Sequence, residues 1–412
     1  MKILLLNHFP LTGSGSGVYT KTIAEGLAKN NHEICIIMPE NEKIKTDNSK
    51  IKIHPVYFKN KEKIEGALPF NFPCFTTHPR STNTFSNLND EQIKLYIQAF
   101  DQAIKEEIEK FKPDIIHSGH IWILPAIASK YNIPLIITTH GTDLIGYEND
   151  INFRKYANEA FNKAYKIITI SKKNNELIKK IFNQDKCILI PNGYDADIFY
   201  QTKINKDDFL KQFNIENKYD KIVSFVGKFT YIKGIDILLK AATLYKNNNI
   251  LTILAGDGEL FDDMKKLAKK LNLKNIFFIK NQPQDILNKL YNIADVSIIS
   301  SRSEAFGLVA IEAMACGTPV IGSDIGGISD IITDDTGMLF ESENYHDLAT
   351  KIKQVINNKS FDKNYIAKYT KDKFSQENFT KKLIDIYEKW INPLLFTWIL
   401  KVGGFVPAWF EK

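Results

Sequence analysis

Short apolar runs of strand length alternate with segments of helical periodicity throughout the chain. Six of these runs lie in the first half: Lys2–Asn7, Glu33–Met38, Ile51–Val56, Ile115–His117, Leu135–Thr139 and Ile167–Ile170. Five more lie in the second half: Ile222–Val226, Leu251–Ala255, Ile276–Ile279, Val296–Ile299 and Val320–Gly322. Such alternation is typical of an α/β fold with parallel sheets. We therefore predict two doubly wound, Rossmann-like domains that face each other across a cleft.

A proline-asparagine-glycine breaker separates the two series of runs. The apolar run Ile188–Ile190 ends at Pro191-Asn192-Gly193, and a lysine-rich stretch follows it. Because such a breaker interrupts regular structure, we place the domain boundary near residue 195. The first domain is predicted to span residues 1–195, and the second is predicted to span residues 196–373.

The last segment, residues 374–412, combines an amphipathic helix with an apolar tail. Four apolar residues recur at helical spacing: Phe379, Leu383, Tyr387 and Ile391. Residues 393–412 follow, with two strongly apolar stretches on either side of Lys401-Val402-Gly403-Gly404. Apolar surface of this kind has to be covered. We expect it to return to the first domain; a membrane-surface anchor and a partner surface stay open as alternatives.

Composition narrows the class of protein. The 412 residues are 44% hydrophobic and 25% charged, as in soluble globular proteins, and are enough for two domains. The net charge of +6 is spread along the chain without a basic block, so no nucleic-acid partner is predicted. Four dispersed cysteines and the lack of an 18-residue apolar stretch favour a cytoplasmic location, with peripheral contact at the inner membrane face left open.

Two glutamates eight positions apart carry the most distinctive chemistry. With a helix predicted to begin near Phe306, Glu304 precedes that helix and Glu312 lies about two turns inside it. The amides of Phe306, Gly307 and Leu308 are then unpaired donors at a positive helix end, which suits phosphate oxygens. Carboxylates accept hydrogen bonds only, so Glu304 suits sugar hydroxyls and Glu312 suits a ribose. This segment predicts a sugar-nucleotide site.

A second candidate site is a loop that carries two lysines. An apolar strand ends at Gly227, Lys228 and Lys233 follow within the loop, and Gly234 opens a helix. Two cations at the carboxyl end of a strand can converge on a diphosphate and stabilise the negative charge that builds as it departs. We therefore predict that both lysines bind a diphosphate.

Two further loops follow predicted strands in the first domain. The first contains Gly13, Gly15 and Gly17, which let the backbone approach a phosphate or a sugar. It does not match G-x-G-x-x-G. Where a nicotinamide-dinucleotide site has an acidic residue, the predicted second strand gives methionine and proline, with Glu40 only just beyond. The second loop begins at His140, which we expect to point into the predicted cleft and to act there.

Two other segments leave the function open. Residues 59–88 are rich in proline and aromatic residues, and either a functional loop or a packed surface insertion fits them. Asp195-Ala196-Asp197 has the D-x-D pattern of metal sites in some transferases, but it lies in the apparent linker. Since the two lysines can supply the positive charge, we predict no metal and no other cofactor.

These segments together resemble the family-4 retaining glycosyltransferases of the GT-B architecture. The likeness covers most of the chain, and its most specific part runs from Glu304 to Pro319. The resemblance implies that Glu304 contacts the donor sugar and Glu312 the nucleotide ribose, and that Lys228 and Lys233 bind the diphosphate. It also places His140 beside the transferred sugar. The main-chain carbonyl of His140 would then steady the positive charge at the anomeric carbon of that sugar. Arginine is usual at the place of Lys228, so a bidentate phosphate contact is lost.

The reaction implied by the resemblance is sugar transfer from a nucleoside diphosphate donor to an acceptor hydroxyl, with retention of configuration. UDP is commoner than GDP in such enzymes, and the acceptor could be a glycan, a lipid or a small molecule. No carboxylate is obviously placed as a nucleophile, so we predict same-face attack in which the departing phosphate takes the proton. The first domain binds acceptors in this family, which makes His78, Arg80 and Asp143 our acceptor candidates.

Three alternatives stay open. A sugar-nucleotide epimerase of the same architecture would release the diphosphate without any acceptor. An N-acetylglucosaminyl malate synthase-like enzyme fits His140–Asp143 and the acidic segment, but residues 59–88 and the tail do not resemble one. A phosphorylase-like or nucleotide-binding module without transfer activity is disfavoured because both glutamates and both lysines are present.

Overall fold

A computed structural model describes seven stretches of the chain: residues 1–44, 50–59, 64–75, 78–183, 185–245, 249–357 and 360–391. The predicted apolar tail, residues 393–412, lies outside the described residues. The chain divides into two compact units. The first comprises Met1–Thr169, Asn174–Ile190 and the described residues from Phe379 onward, and the second comprises Ile170–Lys173 and Pro191–Asn378.

The first unit is built on a seven-stranded parallel sheet. Its strands are β1 (Lys2–Leu6), β2 (Glu33–Glu40), β3 (Ile51–Tyr57), β4 (Ile115–Gly119), β5 (Leu135–Thr139), β6 (Lys166–Thr169) and β7 (Cys187–Leu189). They lie in the order β3-β2-β1-β4-β5-β6-β7. The chain therefore reverses its direction of travel between β1 and β4, which is the switch point where doubly wound folds place ligands.

Among the described residues, six helices and one long C-terminal helix flank this sheet. They are α1 (Gly15–Lys29), α2 (Asp90–Lys110), α3 (Ile123–Ala128), α4 (Thr142–Asn149), α5 (Arg154–Lys163) and α6 (Lys172–Phe182), and, counted later in the chain, α15 (Gln376–Ile391). Strand residues alternate between the two faces. Leu4 and Leu6 pack with Phe100 of α2 in one core, whereas Ile3 and Leu5 pack with α1 and α15 in the other.

The C-terminal helix α15 completes the second of these cores. Leu383 and Tyr387 are fully buried there, together with Leu27 of α1. The two helices approach so closely that a Cβ added at Gly26 would lie 2.2 Å from Thr380 Oγ1. The predicted long amphipathic helix is therefore present, and from Phe379 onward it belongs to the first unit.

The described part of residues 59–88 packs into the first core. Three of its aromatic residues, Phe70, Phe72 and Phe85, are buried in that core with Phe58 of the preceding strand region. Isolated bridges join Phe58 to Leu68 and Cys74 to Thr84. Of the two readings of this segment, its described aromatic residues fit the packed insertion.

The second unit is built on a six-stranded parallel sheet. Its strands are β8 (Lys221–Val226), β9 (Ile250–Ala255), β10 (Ile276–Ile279), β11 (Val296–Ile299), β12 (Val320–Ser323) and β13 (Gly337–Phe340). They lie in the order β10-β9-β8-β11-β12-β13, with the switch point between β8 and β11. Strand β13 is absent from the predicted series, which ends at Val320–Gly322.

Among the residues that the structure describes, eight helices belong to this unit by sequence position. They are α7 (Lys206–Gln212), α8 (Ile235–Ala242), α9 (Phe261–Lys270), α10 (Gln284–Ile293), α11 (Leu308–Ala315), α12 (Ile328–Ile331), α13 (Tyr345–Asn357) and α14 (Lys363–Phe374). Helices α8, α9 and α13 cover one face of the sheet, and α7 and α10 cover the other. Both units are thus doubly wound, as the alternation of apolar runs predicts.

Candidate active site

The loop that carries the two lysines is held against the loop that follows β9. The amide of Phe229 donates to the carbonyl of Asp257 at 2.9 Å. A Cβ added at Gly256 would lie 1.9 Å from the Gly227 carbonyl oxygen, and Gly256 has φ +147°, so only glycine fits there. This close approach sets the course of the lysine loop as it leaves β8.

Lys233 meets Glu304 at the end of that loop. The Lys233 ammonium donates to Glu304 Oε2 at 2.5 Å, with the two side chains 27% and 16% exposed. The hydroxyl of Ser301 donates to the same oxygen at 3.4 Å. Two residues that the sequence assigned to different motifs, 71 positions apart, therefore form one charged pair.

Lys228 occupies a different setting from Lys233. Its side chain is exposed, and within the stretches that the structure describes its ammonium has no hydrogen-bond or ion-pair partner. A lysine in this state is free to meet an anion, but nothing pre-orients it. Its predicted contact with a diphosphate stays a prediction.

The backbone of Glu304 rests on a double glycine that the sequence reading missed. The Glu304 carbonyl accepts the Gly327 amide at 3.2 Å. Gly326 has φ +51°, and a Cβ added there would lie 2.0 Å from the same carbonyl oxygen. A Gly-Gly dipeptide just beyond a strand is a visible signal of such an approach.

Helix α11 begins at Leu308, two residues later than predicted. Gly307 precedes it with φ +110°, and a Cβ there would lie 2.4 Å from Ile328 Cδ1. In the described part of the chain, the amides of Phe306, Gly307 and Leu308 donate to no protein acceptor. Three unpaired donors at a helix start form a setting suited to phosphate oxygens, as predicted for this segment.

Because α11 starts later, Glu312 lies about one turn inside the helix instead of two. The Tyr291 hydroxyl donates to Glu312 Oε2 at 3.4 Å. Burial raises the pKa of the Glu312 carboxyl to about 7, although the bond from Tyr291 acts in the opposite direction. A carboxylate in this position gains from further hydroxyl donors, which would replace the water it has lost.

In the first unit, Asp143 holds the loop that carries His140. Its buried carboxylate accepts the Ile121 amide at 2.9 Å and the His140 amide at 3.2 Å. Burial raises the pKa of Asp143 to about 6, and these backbone hydrogen bonds limit the rise. Both carboxylate oxygens are thus used by the backbone, and an acceptor contact of Asp143 stays a prediction.

The His140 imidazole is buried and neutral. Burial lowers its pKa to about 3, and its Nε2 has no hydrogen-bond partner among the described residues. The ring meets Tyr19 edge-on at 4.8 Å and His120 at 4.7 Å between centroids. Sequence reasoning missed His120, a buried non-glycine residue at φ +68°, and no motif marked it.

In the loop between β1 and α1, two of the three glycines lie so close to neighbouring atoms that a Cβ would not fit. A Cβ at Gly13 would lie 2.8 Å from the His78 ring, and one at Gly17 would lie 2.1 Å from the Pro10 carbonyl oxygen. Gly15 is the first residue of α1 and has open space around it. The predicted donor contacts of Gly15 and Gly17 are untested by these packing relations.

Arg80, an acceptor candidate, is already paired with carboxylates. Its guanidinium donates to both oxygens of Glu40, at 2.6 and 3.3 Å, and lies 3.1 Å from Glu42 Oε2. His78 donates from Nε2 to the Thr12 carbonyl at 3.1 Å. These contacts fasten the insertion to β2 and to the glycine loop; roles for either residue in acceptor binding stay predictions.

In the D-x-D segment, Asp195 Oδ1 accepts the Asp197 amide at 2.9 Å. The described residues include no group of three or more His, Cys, Asp or Glu side chains arranged to hold a metal.

No helix among the described residues is both long and apolar enough to cross a membrane. All four cysteines are free thiols.

Comparison with protein families assigns both halves of the chain. Residues 13–198 match the model of glycosyltransferase family 4, and residues 206–372 match that of the group 1 glycosyl transferases. An uncharacterized glycosyltransferase of Methanocaldococcus jannaschii is 32% identical over 69% of this chain and 78% of the relative. The chain therefore belongs to the family-4 glycosyltransferases, with the GT-B fold.

Other relatives agree with this assignment. A second uncharacterized glycosyltransferase of the same organism is 28% identical over 94% of this chain and 98% of the relative. N-acetyl-α-D-glucosaminyl L-malate synthase of Bacillus anthracis is 24% identical over 92% and 94% of the two chains.

Two solved structures share the fold. Sucrose-phosphate synthase from Thermosynechococcus elongatus has a TM-score of 0.74 at 20% identity over 96% of this chain and 99% of its own. Anabaena HepE in complex with UDP and glucose has a TM-score of 0.72 at 18% identity over 94% and 99%.

Proposed function

We propose that this enzyme is a retaining glycosyltransferase that moves a sugar from a nucleoside diphosphate sugar, with UDP preferred over GDP, to an acceptor hydroxyl. The observation that carries the proposal is the contact of Lys233 with Glu304, just ahead of the unpaired amides that open α11. A cation, an acceptor-only carboxylate and a helix start are brought together in one unit. They suit a diphosphate and a sugar at the same time.

The diphosphate is proposed to lie between the lysine loop and the start of α11. Lys228 and Lys233 supply two positive charges, and the α11 amides supply fixed donors. Charge that builds on the departing phosphate is then stabilised by groups that need no reorganisation, and metal-independent transfer follows. Support for UDP comes from Anabaena HepE, which shares the fold and was solved with UDP and glucose.

Retention is proposed to proceed by attack on the face that the phosphate leaves. Glu304 is engaged by Lys233 and Ser301, which makes it a poor covalent nucleophile. His140 has a pKa lowered to about 3, so its imidazole is neutral near pH 7 and is a poor proton donor there. The departing phosphate is then the group that takes the acceptor proton, and the His140 carbonyl steadies charge at the anomeric carbon.

The test is diphosphate release from a panel of UDP-glucose, UDP-N-acetylglucosamine, UDP-galactose and GDP-mannose, with and without acceptors. We expect release that depends on an acceptor, persists in EDTA and drops at least a hundredfold in Lys233→Gln. Lys266→Gln, which removes an exposed lysine paired with Asp263, serves as the matched control. No release from any donor with any acceptor would contradict the proposal.

The same assay separates the alternatives. Diphosphate release without an acceptor, together with an altered sugar, identifies an epimerase. Strong preference for malate among the acceptors identifies the small-molecule reaction named for the Bacillus anthracis relative. Proton NMR of the product gives the anomeric configuration, and an inverted product or a trapped glycosyl-enzyme adduct rules out same-face attack.

A further inference from the structure

Arg302 belongs to the loop that carries Glu304, and it binds the turn that ends at Lys233. Its amide donates to the Ile232 carbonyl at 2.6 Å, and its Nη1 donates to the Tyr231 carbonyl at 2.7 Å. Its guanidinium also lies over the Tyr231 ring, 4.1 Å from the centroid. The residue two positions ahead of Glu304 is thus attached to the turn Tyr231–Lys233.

Two carboxylates hold the guanidinium in place. Asp236 receives one hydrogen bond from each terminal nitrogen, at 2.8 and 3.0 Å. Glu343 receives bonds from Nε at 2.5 Å and from Nη2 at 3.2 Å. Arg302 is only 12% exposed, and Glu343 sits at φ +69°, an unusual conformation for a glutamate.

The guanidinium has no donor left for a ligand. An arginine side chain has five N–H groups. All five are accounted for by the Tyr231 carbonyl, the two oxygens of Asp236 and the two oxygens of Glu343. An arginine near a phosphate site commonly suggests phosphate binding, but this one is fully occupied by the protein.

Further contacts join the same two segments. The Ser300 hydroxyl donates to the Lys233 carbonyl at 3.1 Å. Gly234 is left-handed, and a Cβ there would lie 2.0 Å from the Ser300 carbonyl oxygen. The backbones of the two loops that carry Lys233 and Glu304 are therefore in direct contact. Arg302 joins the same two loops at the other end of this contact.

We propose that Arg302 is a positioning residue for the transfer reaction. It clamps the turn Tyr231–Lys233 to the loop Ser300–Glu304, and so keeps the Lys233 ammonium beside Glu304 before a ligand arrives. The role of this pair in nucleotide binding rests on the proposed function. The contact between the two loops does not depend on the proposed function, and it can be measured without any ligand.

Hydrogen exchange measures the clamp directly. In Arg302→Gln we expect the amides of Lys233, Gly234 and residue 302 to exchange at least tenfold faster than in the wild type. Arg302→Lys keeps the positive charge but loses the planar guanidinium with its five N–H donors, so an intermediate exchange rate is expected. Lys240→Gln is the matched control, because it removes the other cation on Asp236 and leaves both loops untouched. Equal exchange in the wild type and Arg302→Gln overturns the proposal.

Titration with UDP measures the functional consequence. We expect Arg302→Gln to weaken UDP binding about tenfold, and to cause no further loss when Lys233 is already glutamine. Such non-additivity indicates that Arg302 acts through Lys233, whereas a general loss of stability gives independent effects. Circular dichroism melts ensure that only folded variants are compared, and Arg302→Lys replaces Arg302→Gln if the latter is unfolded.

The two proposals fail in different ways. If the wild type binds neither UDP nor GDP, the proposed function fails, and exchange still decides whether Arg302 holds the loops. If UDP binds the wild type and Arg302→Gln with equal affinity while exchange rises, Arg302 shapes the loops without serving the reaction, and the positioning role is wrong.

Discussion

Tyr387, on the last described helix, is hydrogen-bonded through its hydroxyl to Nδ1 of His117 on β4, at 2.5 Å and 270 positions away in sequence. His117 Nε2 continues to the Thr138 hydroxyl at 2.7 Å, and Thr138 is bonded to the Tyr19 hydroxyl at 3.0 Å. The Tyr19 ring then meets the His140 ring nearly at a right angle, with 4.8 Å between the centroids. A buried polar chain thereby connects the C-terminal helix to the candidate active site.

Tyr387→Phe is expected to destabilise the first unit. Burial holds the pKa of His117 at about 3, so its ring is neutral, and loss of the tyrosine hydroxyl leaves Nδ1 without its partner. An unsatisfied buried polar group costs about 1–3 kcal/mol. Urea denaturation monitored by fluorescence gives the change. Tyr365→Phe, at an exposed tyrosine, is the control. Equal stability of the two variants would show that the buried hydrogen-bonded chain does not contribute to the stability of the fold.

Glu312 predicts a pH dependence of nucleotide binding. Burial raises its pKa to about 7, so the folded protein holds a proton between about pH 4.5 and 7 that the unfolded chain releases. Because of the raised pKa, the folded state is more stable relative to the unfolded state below about pH 4.5 than above about pH 7. A ribose prefers the carboxylate, so UDP affinity should increase as pH rises from 6 to 8.

Glu312→Gln is the variant that tests this dependence. It should weaken UDP binding by about 1–3 kcal/mol at pH 8 and flatten the pH profile, because the amide does not titrate. Calorimetry at several pH values checks both effects. A profile of the same slope in the wild type and the variant assigns the dependence to another group.

Gly326→Ala is expected to displace the Glu304 loop. The new Cβ would lie 2.0 Å from the Glu304 carbonyl oxygen, closer than any real contact, and the residue also has a positive φ. Gly66→Ala isolates the second effect, because Gly66 has φ +75° and nothing within 4 Å of an added Cβ. We expect about 1 kcal/mol of destabilisation for Gly66→Ala. Gly326→Ala should in addition lose UDP binding at least tenfold in calorimetry.

Arg80→Gln tests whether Arg80 fastens the insertion or awaits an acceptor. Glu40 is nearly fully buried, so removal of its partner leaves a buried charge. Such a loss costs about 3–5 kcal/mol in a fully buried pair, and somewhat less is expected here because Arg80 is 19% exposed. Glu40→Gln combined with Arg80→Gln should recover most of the stability. Lys110→Gln, at an exposed helical pair, is the control and should change it by less than about 0.5 kcal/mol.

The fold was largely predictable from the apolar runs. Parallel strands buried on both faces leave continuous apolar segments, and eleven predicted runs reappear as strands with ends shifted by a few residues. Leu135–Thr139 and Val296–Ile299 have the predicted bounds. Strand β2 extends two residues further, to Glu40, because β3 pairs with it as far as Tyr57.

The candidate site was predictable in its residue types and less so in its geometry. Spacing identified Glu304 and Lys233, since charged residues next to glycines at strand ends are conspicuous. It did not show that they touch, because their contact depends on the packing of β8 beside β11. Arg302 and His120 escaped notice because neither belongs to a spacing pattern, and their importance comes from contacts with residues distant in sequence.

The position of α15 constrains the order in which this protein can fold during synthesis. Tyr19 and Leu27 line a core that is closed only by residues from Phe379 onward, so this core stays open until those residues have left the ribosome. The second unit, by contrast, has all its strands between Lys221 and Phe340 and can complete its sheet earlier. The half of the protein that is made first is therefore expected to be finished last.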